Sequence, residues 1–403
     1  MELNCHYNQQ ARLKEFARLD GNHYKLTMVD LERKKIGSRN VEKAFYQKGL
    51  YSEEVERELN SKIEAPGMRV FDKAYKSNGF VMLTRRELET MKKYLLLQLY
   101  RNPTNISHYS PNWEGDVLAI NKKFKNDAEA KQHVSDEIHK LCNNSWRQLL
   151  KIDDEELNNN IQTIRQTMTL FVRSPTLEFV INDLGSVTER QTYDRISDDV
   201  IRPHLESIVD GELTDDMLKK WKERHQYYDN FTFYPISSHM GVITVSPVWT
   251  ALIKTKQPFT VSSGDKDHPI VYDLDPTFFD WVEDNIGLYS DFLEELFVPG
   301  VPSYQSPRLK NRKMSPRKME EMVSRYMRPD DKYIYPVVDL DLMWAKYLNR
   351  LTINEAHQFF AFGSINDGKI SISDYDWAAS VNPGVKNDLS WIDWDADWTD
   401  PIG

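Results

Sequence analysis

The chain has 403 residues, 40% hydrophobic and 28% charged, with a net charge of −10. That length supports one large domain or two intimate ones, and the acidic balance excludes a protein whose whole surface tracks nucleic-acid phosphate. The two cysteines, Cys5 and Cys142, lie far apart, which excludes a disulfide scaffold and a zinc finger.

The opening, MELNCHYNQQARLKEFA, puts polar residues at positions where a dispensable tail is usual, and its apolar residues Ala11, Leu13, Phe16 and Ala17 are spaced as in a helix. It has no basic start followed by an apolar stretch, and the longest apolar run, YLLLQLY at 94–100, is far short of a membrane span. A cytoplasmic protein with no membrane contact is expected. Residues 23–35 then alternate as a half-buried strand ended by Gly37, with Tyr24, Leu26, Met28 and Asp30 on one face. Ser52 to Ser77 is mostly helical, with a break expected at Pro66-Gly67. Thr84 stands three before Glu87, a capping box, and Leu88, Met91, Leu95 and Leu99 follow at helical spacing until Asn102-Pro103. Apolar spacing predicts further helices over 127–150, 154–172 and, after Thr214, 215–228.

The pattern changes after Asn230. FTFYPISS, GVITVS, PFTVSS and HPIVYDL are short β-branched or aromatic runs broken by Pro and Gly, which predict strands, and helix returns in two pieces around Gly287. Residues 299–318 are Pro-rich and basic and predict an exposed loop. A helix opens at Ser315-Pro316, and KYIYPVVDL at 332–340 predicts a strand. Thr352 and Glu355 form a second apparent capping box ahead of a helix over INEAHQFFAF. Asn366-Asp367-Gly368 sits between alternating runs as in a hairpin. From about residue 380 the chain stops reading as folded, with Trp391, Trp394 and Trp398 set among aspartates. Such tryptophans either pack back on the domain or bind a groove on a protein partner.

In the same order, several motifs resemble a bacterial family with a domain of unknown function numbered 4238. Its members open with His-His-Tyr-Val-Pro-Gln, an aromatic, then Leu-Arg-x-Phe. Here the stretch reads Cys5-His6-Tyr7-Asn8-Gln9-Gln10-Ala11-Arg12-Leu13-Lys14-Glu15-Phe16, departing at Cys5, Asn8 and Gln9. The family's Arg-Asn pair before Phe-Tyr is similar to Arg39-Asn40 and Phe45-Tyr46, its helix with an internal Glu to Glu64, and its helix ending in arginine to Arg101. Its Ser-Asp-x-Pro turn is similar to an expanded PFTVSSGDKDHPIV with Asp265 and Pro269, and its closing Pro strand and Asn-bearing helix are similar to YPVVDLDL and INEAHQFFAF.

The family's polar positions imply that His6, Arg39, Glu64, Arg101 and Asp265 meet in one cleft. There the arginines would hold phosphate, Glu64 and Asp265 would hold a divalent metal or act as base, and His6 would act as acid or base. Each has a structural alternative: His6 as a pin for the N-terminus, Arg39 in an ion pair with Glu64, Arg101 simply at a helix C-terminus, and Asp265, Asp267 and His268 as a solvated turn. Arg308, Lys310, Arg312, Lys313, Arg317 and Lys318 concentrate positive charge in an acidic chain, as a local nucleic-acid contact would or as a solvated loop does. No P-loop, dinucleotide turn, H-E-x-x-H or G-x-S-x-G motif occurs.

The expected fold is α+β, a helix-rich N-terminal half packed with a mixed, mostly antiparallel sheet from the C-terminal half. Residues 1–380 are read as one interlocked domain and 381–403 as an acidic, Trp-rich tail. The expected function is a phosphodiester hydrolase, a nuclease in a toxin-like or phage-defence setting. The alternative is a non-catalytic interaction module acting through its tail or basic loop.

Overall fold

The computed structural model describes residues 4–48, 53–77, 79–101, 168–192, 213–224, 227–245, 261–263, 270–272, 332–381 and 386–402, with positions 198 and 202. The helices expected over 127–150 and 154–167 and around Gly287, and the basic loop with its following helix, lie outside the described residues. In chain order the elements are β1 (Asn4–His6), α1 (Gln10–Lys14), β2 (Arg18–Asp20), β3 (His23–Asp30), β4 (Lys35–Asn40), β5 (Tyr46–Lys48), α2 (Glu53–Leu59), α3 (Ala65–Tyr75), β6 (Phe80–Thr84), α4 (Arg85–Arg101), β7 (Met168–Arg173), β8 (Ile181–Asn182) and β9 (Val187–Thr192). There follow α5 (Asp215–Arg224), β10 (Tyr227–Pro235), β11 (Met240–Val245), β12 (Val261–Ser263), β13 (Ile270–Tyr272), β14 (Lys332–Asp339), α6 (Leu342–Asn354), β15 (Phe359–Phe362) and α7 (Ile365–Val381).

The architecture is α+β with mostly antiparallel sheets. Six strands run in the order β6-β14-β7-β11-β10-β9, with β14 parallel to β7 and the other neighbours antiparallel. A five-stranded sheet runs β2-β3-β15-β8, with β4 on the opposite edge of β3. An early segment thus pairs with a late one: Thr27–Asp30 is antiparallel to Phe359–Phe362.

Several local expectations yield to tertiary packing. The strand expected over 23–35 is a hairpin: the chain turns at 31–34, where Lys34 takes φ 52°, and Gly37 lies within β4 rather than ending a strand. Leu26 to Asp30 are buried on both faces because β3 has neighbours on each edge and packing above and below, so its alternation marks no single inner face. Residues 168–172, read as helical, form β7, in register with β11 along its whole length. The helix after Thr214 ends at Arg224, and β10 begins at Tyr227.

Thr352 caps no helix. It lies in the last turn of α6, its Oγ1 donating to the Leu348 carbonyl at 2.8 Å, and FFAF becomes β15 between β3 and β8. The expected hairpin over 364–373 is the start of α7: the Asp367 N–H donates to Ser364 Oγ at 3.3 Å, and Gly368 sits against the Phe362 ring, where a Cβ would come within 2.2 Å. The capping box at α4 forms as expected, Thr84 N–H to Glu87 Oε2 at 2.9 Å and Glu87 N–H to Thr84 Oγ1 at 3.3 Å.

Of the two outcomes expected for the C-terminal tryptophans, Trp398 takes the first and packs back on the domain, so residues 386–402 are folded although the chain stops reading as folded from about 380. Trp398 is buried, packed with Phe362, and Leu389 and Ile392 join the same apolar cluster as Phe360, Ile372 and Tyr375. Ser38 N–H donates to the Asp400 carbonyl at 2.6 Å and Ile402 N–H to the Ser38 carbonyl at 3.0 Å, so the segment ends paired with β4. Among the described residues no helix is long and apolar enough to cross a membrane.

Candidate functional site

The N-terminal motif is structural framework and cavity wall at once. β1 pairs with β5, setting His6 opposite Tyr46, and Tyr7 N–H donates to the Phe45 carbonyl at 3.0 Å. Phe45 takes φ 50°, a left-handed conformation that costs a bulky residue on the order of 1–3 kcal/mol. It is held there by edge-on contacts of its ring with Tyr7 and Phe359. The chain then turns into α1. Asn8 Nδ2 donates to the Asn182 carbonyl at 2.9 Å, and Tyr94 hydroxyl donates to Gln9 Oε1 at 3.1 Å.

Among the described residues Arg12 is the largest fully buried side chain. It donates to the carbonyls of Pro235 (3.0 Å) and Gly185 (2.6 Å) and to Gln98 Oε1 (3.3 Å). Burial lowers its pKa, with the Tyr94, Tyr75 and Tyr234 hydroxyls pulling the other way. One guanidinium thereby ties α1 to α4, to the end of β10 and to the turn after β8. At that turn Gly185 takes φ 69°, and a Cβ there would meet Asn8 Oδ1 at 2.3 Å.

Facing α1 is a helical arm. α2 and α3 are joined without a break by a π-helical turn, Asn60–Glu64. The helix runs through the expected interruption at Pro66-Gly67: the π turn loosens its hydrogen-bond register just ahead of Pro66, which has no N–H to give, and Gly67 lets α3 approach the Tyr94 ring, 2.6 Å from where a Cβ would stand. The wider π turn keeps Glu56, Asn60, Glu64, Met68 and Asp72, four apart in sequence, on one side.

Between α1 and this arm lies a cavity of ≈ 790 Å³. From the N-terminal motif it is lined by His6, Gln9, Gln10, Lys14 and Glu15, from β3 by Tyr24, and from the arm by the stripe just named together with Arg69. His6 and Glu64 are both almost completely buried. His6 Nε2 lies 3.1 Å from the Glu42 carbonyl and 3.2 Å from Gln10 Nε2. The same Gln10 nitrogen lies 3.3 Å from Nδ1, so the amide stands against both ring nitrogens. Burial pushes the Glu15 carboxyl above the usual range, and the nearby Asp72 carboxylate pushes it further. Four carboxylates and two cations thus share the wall, one of the carboxylates raised, as in sites that exchange protons.

Of the five residues expected to converge, His6 and Glu64 line this one cavity. Arg39 rides on β4 opposite Leu26 and does not line it; its charge acts instead on buried Tyr7, whose pKa is raised by burial and by Asp183 and partly restored by Arg39. Arg101 closes α4, its side chain outside the description. Asp265, the second ligand expected for a divalent metal, and Arg308, Lys310, Arg312, Lys313, Arg317 and Lys318 lie outside the described residues. Among those described, no group of three or more His, Cys, Asp or Glu is arranged to hold a metal ion.

Sequence reasoning passed over Lys14, Glu15, Arg69 and Asp72. The recurrence of Glu56, Asn60, Glu64 and Asp72 at multiples of four, with Met68 between the last two, carries a signal for the arm. Nothing local marks its juxtaposition with α1.

No curated protein and no solved structure matches the chain. A family model described as "Protein of unknown function (DUF4238)" matches residues 4–365, a span that includes both walls of the cavity and stops before the C-terminal segment on β4. The chain belongs to the DUF4238 family.

Proposed function

We propose that the cavity cleaves RNA by internal transesterification. The observation that carries this reading is the placement of His6 and Glu64, from separate segments, on the wall of one polar cavity with Lys14 and Arg69. RNA supplies its own nucleophile, so the protein needs two proton-transfer groups and a hold on phosphate. Glu64 takes the proton of the 2′-hydroxyl, and the 2′ oxygen attacks phosphorus. His6 gives a proton to the departing 5′ oxygen as the P–O5′ bond breaks, leaving a 2′,3′-cyclic phosphate and a free 5′-hydroxyl. To act as acid His6 must carry a proton on both ring nitrogens, which requires the Gln10 amide to turn its oxygen toward the ring. Lys14 and Arg69 steady the phosphate. An enzyme of this kind suits a toxin-like or phage-defence effector.

The test is incubation of the purified full chain with single-stranded RNA and DNA, in EDTA and in Mg²⁺. RNA alone should be cut, with EDTA present, leaving cyclic phosphate ends. Glu64→Gln and His6→Asn should each lower the rate about a hundredfold or more while keeping the far-UV spectrum. Intact RNA, cleavage unaffected by Glu64→Gln, or cleavage of DNA only with Mg²⁺ would each overturn the reading.

A further inference from the structure

Tyr24 stands in the exposed first part of β3, with His23 exposed and Lys25 half-buried on either side of it. Further along β3, Leu26 and Met28 are completely buried, yet Tyr24 remains 39% exposed while also lining the cavity. Lys14, from α1, stands over the Tyr24 ring with Nζ 5.3 Å from the centroid, and Lys14 also lines the cavity. An exposed ring at a cavity edge, with a cation on one face, offers two things a nucleotide needs: an aromatic surface for a base and a positive charge within reach of the adjoining phosphate. Gln9, Gln10 and Asn60, which line the same cavity, carry amides able to meet the edge of a base.

We infer that Tyr24 is a stacking platform for an unpaired base, with Lys14 on the adjoining phosphate, so that the cavity takes single-stranded rather than duplex nucleic acid. This rests on the reading of the cavity as an RNA-cleaving site and names the form of its substrate. In a duplex the base is already stacked and paired, and reaching Tyr24 would mean extracting it. Tyr24 is not required for proton transfer; it positions the strand.

The experiment is fluorescence anisotropy of a 5′-labelled single-stranded RNA oligonucleotide, and of the same oligonucleotide annealed to its complement, titrated with the full chain in EDTA. A Glu64→Gln background prevents cleavage during the titration. Tyr24→Phe keeps the ring and Tyr24→Leu keeps apolar bulk without it; melting curves confirm that both fold. The single strand should bind at least about tenfold more tightly than the duplex, Tyr24→Phe should bind like its parent, and Tyr24→Leu should bind the single strand about tenfold more weakly. Equal binding by Tyr24→Leu, equal binding of duplex and single strand, or no binding by the parent would overturn the inference. The two readings fail separately. Cleavage by wild type with no effect of Tyr24→Leu on binding overturns the platform and leaves the cleavage. Ring-dependent binding with no cleavage by wild type leaves the platform and overturns the cleavage.

Discussion

Arg12 Nε donates to the Pro235 carbonyl at 3.0 Å, joining the first helix of the chain to the end of a strand more than two hundred positions later, with Arg12 fully buried. The acceptors around the guanidinium are carbonyl oxygens, Pro235, Gly185 and the Gln98 amide, so the group holds backbone in place rather than neutralising an acid. Replacing it strands several buried acceptors at once. Arg12→Ala should lose about 3–5 kcal/mol of unfolding free energy, and Arg12→Lys nearly as much, because a point ammonium cannot reproduce the fork. Urea denaturation of the two variants checks this; wild-type stability in Arg12→Lys would show that charge alone suffices.

Asp183 links stability to pH. Its carboxyl accepts the His357 N–H at 3.0 Å and the Gln358 N–H at 2.8 Å, but burial outweighs these bonds and raises its pKa to about 6. In the unfolded chain the group titrates near its ordinary value of 3.8. The folded state therefore binds the proton more tightly, and the stability this brings is fully present below the ordinary value and lost as pH rises through about 6. Asp183→Asn removes the titration and one acceptor. It should cost roughly 1–3 kcal/mol at low pH and flatten the rise in stability on acidification from about pH 6 to about pH 4. Thermal melts across that range, with wild type alongside, decide it.

Asp72 tests the electrostatics of the cavity. Its carboxylate helps raise the Glu15 pKa and adds to the acid on a wall that must admit phosphate. Asp72→Asn should lower the Glu15 pKa toward its ordinary value and tighten binding of single-stranded RNA by roughly two- to fivefold at low salt, an advantage that shrinks as salt screens it. Anisotropy titrations at two ionic strengths measure the effect. Weaker binding by Asp72→Asn would mean that the acid attracts the ligand, as it would attract a cationic one.

Trp398 measures how firmly the C-terminal segment is docked. It is 2% exposed, its indole N–H donates to the Asp393 carbonyl at 3.0 Å, and Lys369 stands over its ring at 4.8 Å. Trp398→Ala should cost about 3–5 kcal/mol. Trp377, 61% exposed on α7, should be replaceable by Ala within about 0.5 kcal/mol. Differential scanning calorimetry of both variants separates a docked segment from a loose one, for which the two losses would match.

Gly67 gauges the approach of α3 to α4. A Cβ there would stand 2.6 Å from the Tyr94 ring. Gly67→Ala should destabilise the protein by about 1–3 kcal/mol despite the better helix propensity of Ala. Chemical denaturation reads the sign directly: a more stable variant would show that the Tyr94 ring can give way.

Family membership, the α+β class and the cap of α4 were legible in the residues themselves. Thr84 and Glu87 serve each other across one turn, so their spacing is their structure. The opening motif was legible as a family signature because its residues are consecutive. Its roles divided only in three dimensions: His6 and Gln10 reach the cavity, while Arg12, between Ala11 and Leu13, turns to the core.

What the chain alone determined were interactions closed within a few residues, where backbone geometry fixes who meets whom. What only tertiary structure decided were outcomes set by partners far away in sequence. FFAF is a strand because β3 and β8 lie on either side of it, and INDGKISIS is a helix because Gly368 fits under Phe362. The tryptophans of the C-terminal segment could pack back on the domain or bind a partner, and Trp398 is buried because Phe362 and the cluster beneath α7 receive it. The cavity is of the same kind. His6 and Glu64 meet at one cavity because β1 pairs with β5 and a π turn keeps one stripe of the arm facing α1. Apolar burial and long-range pairing outweigh local preferences that differ by less than about 1 kcal/mol per residue.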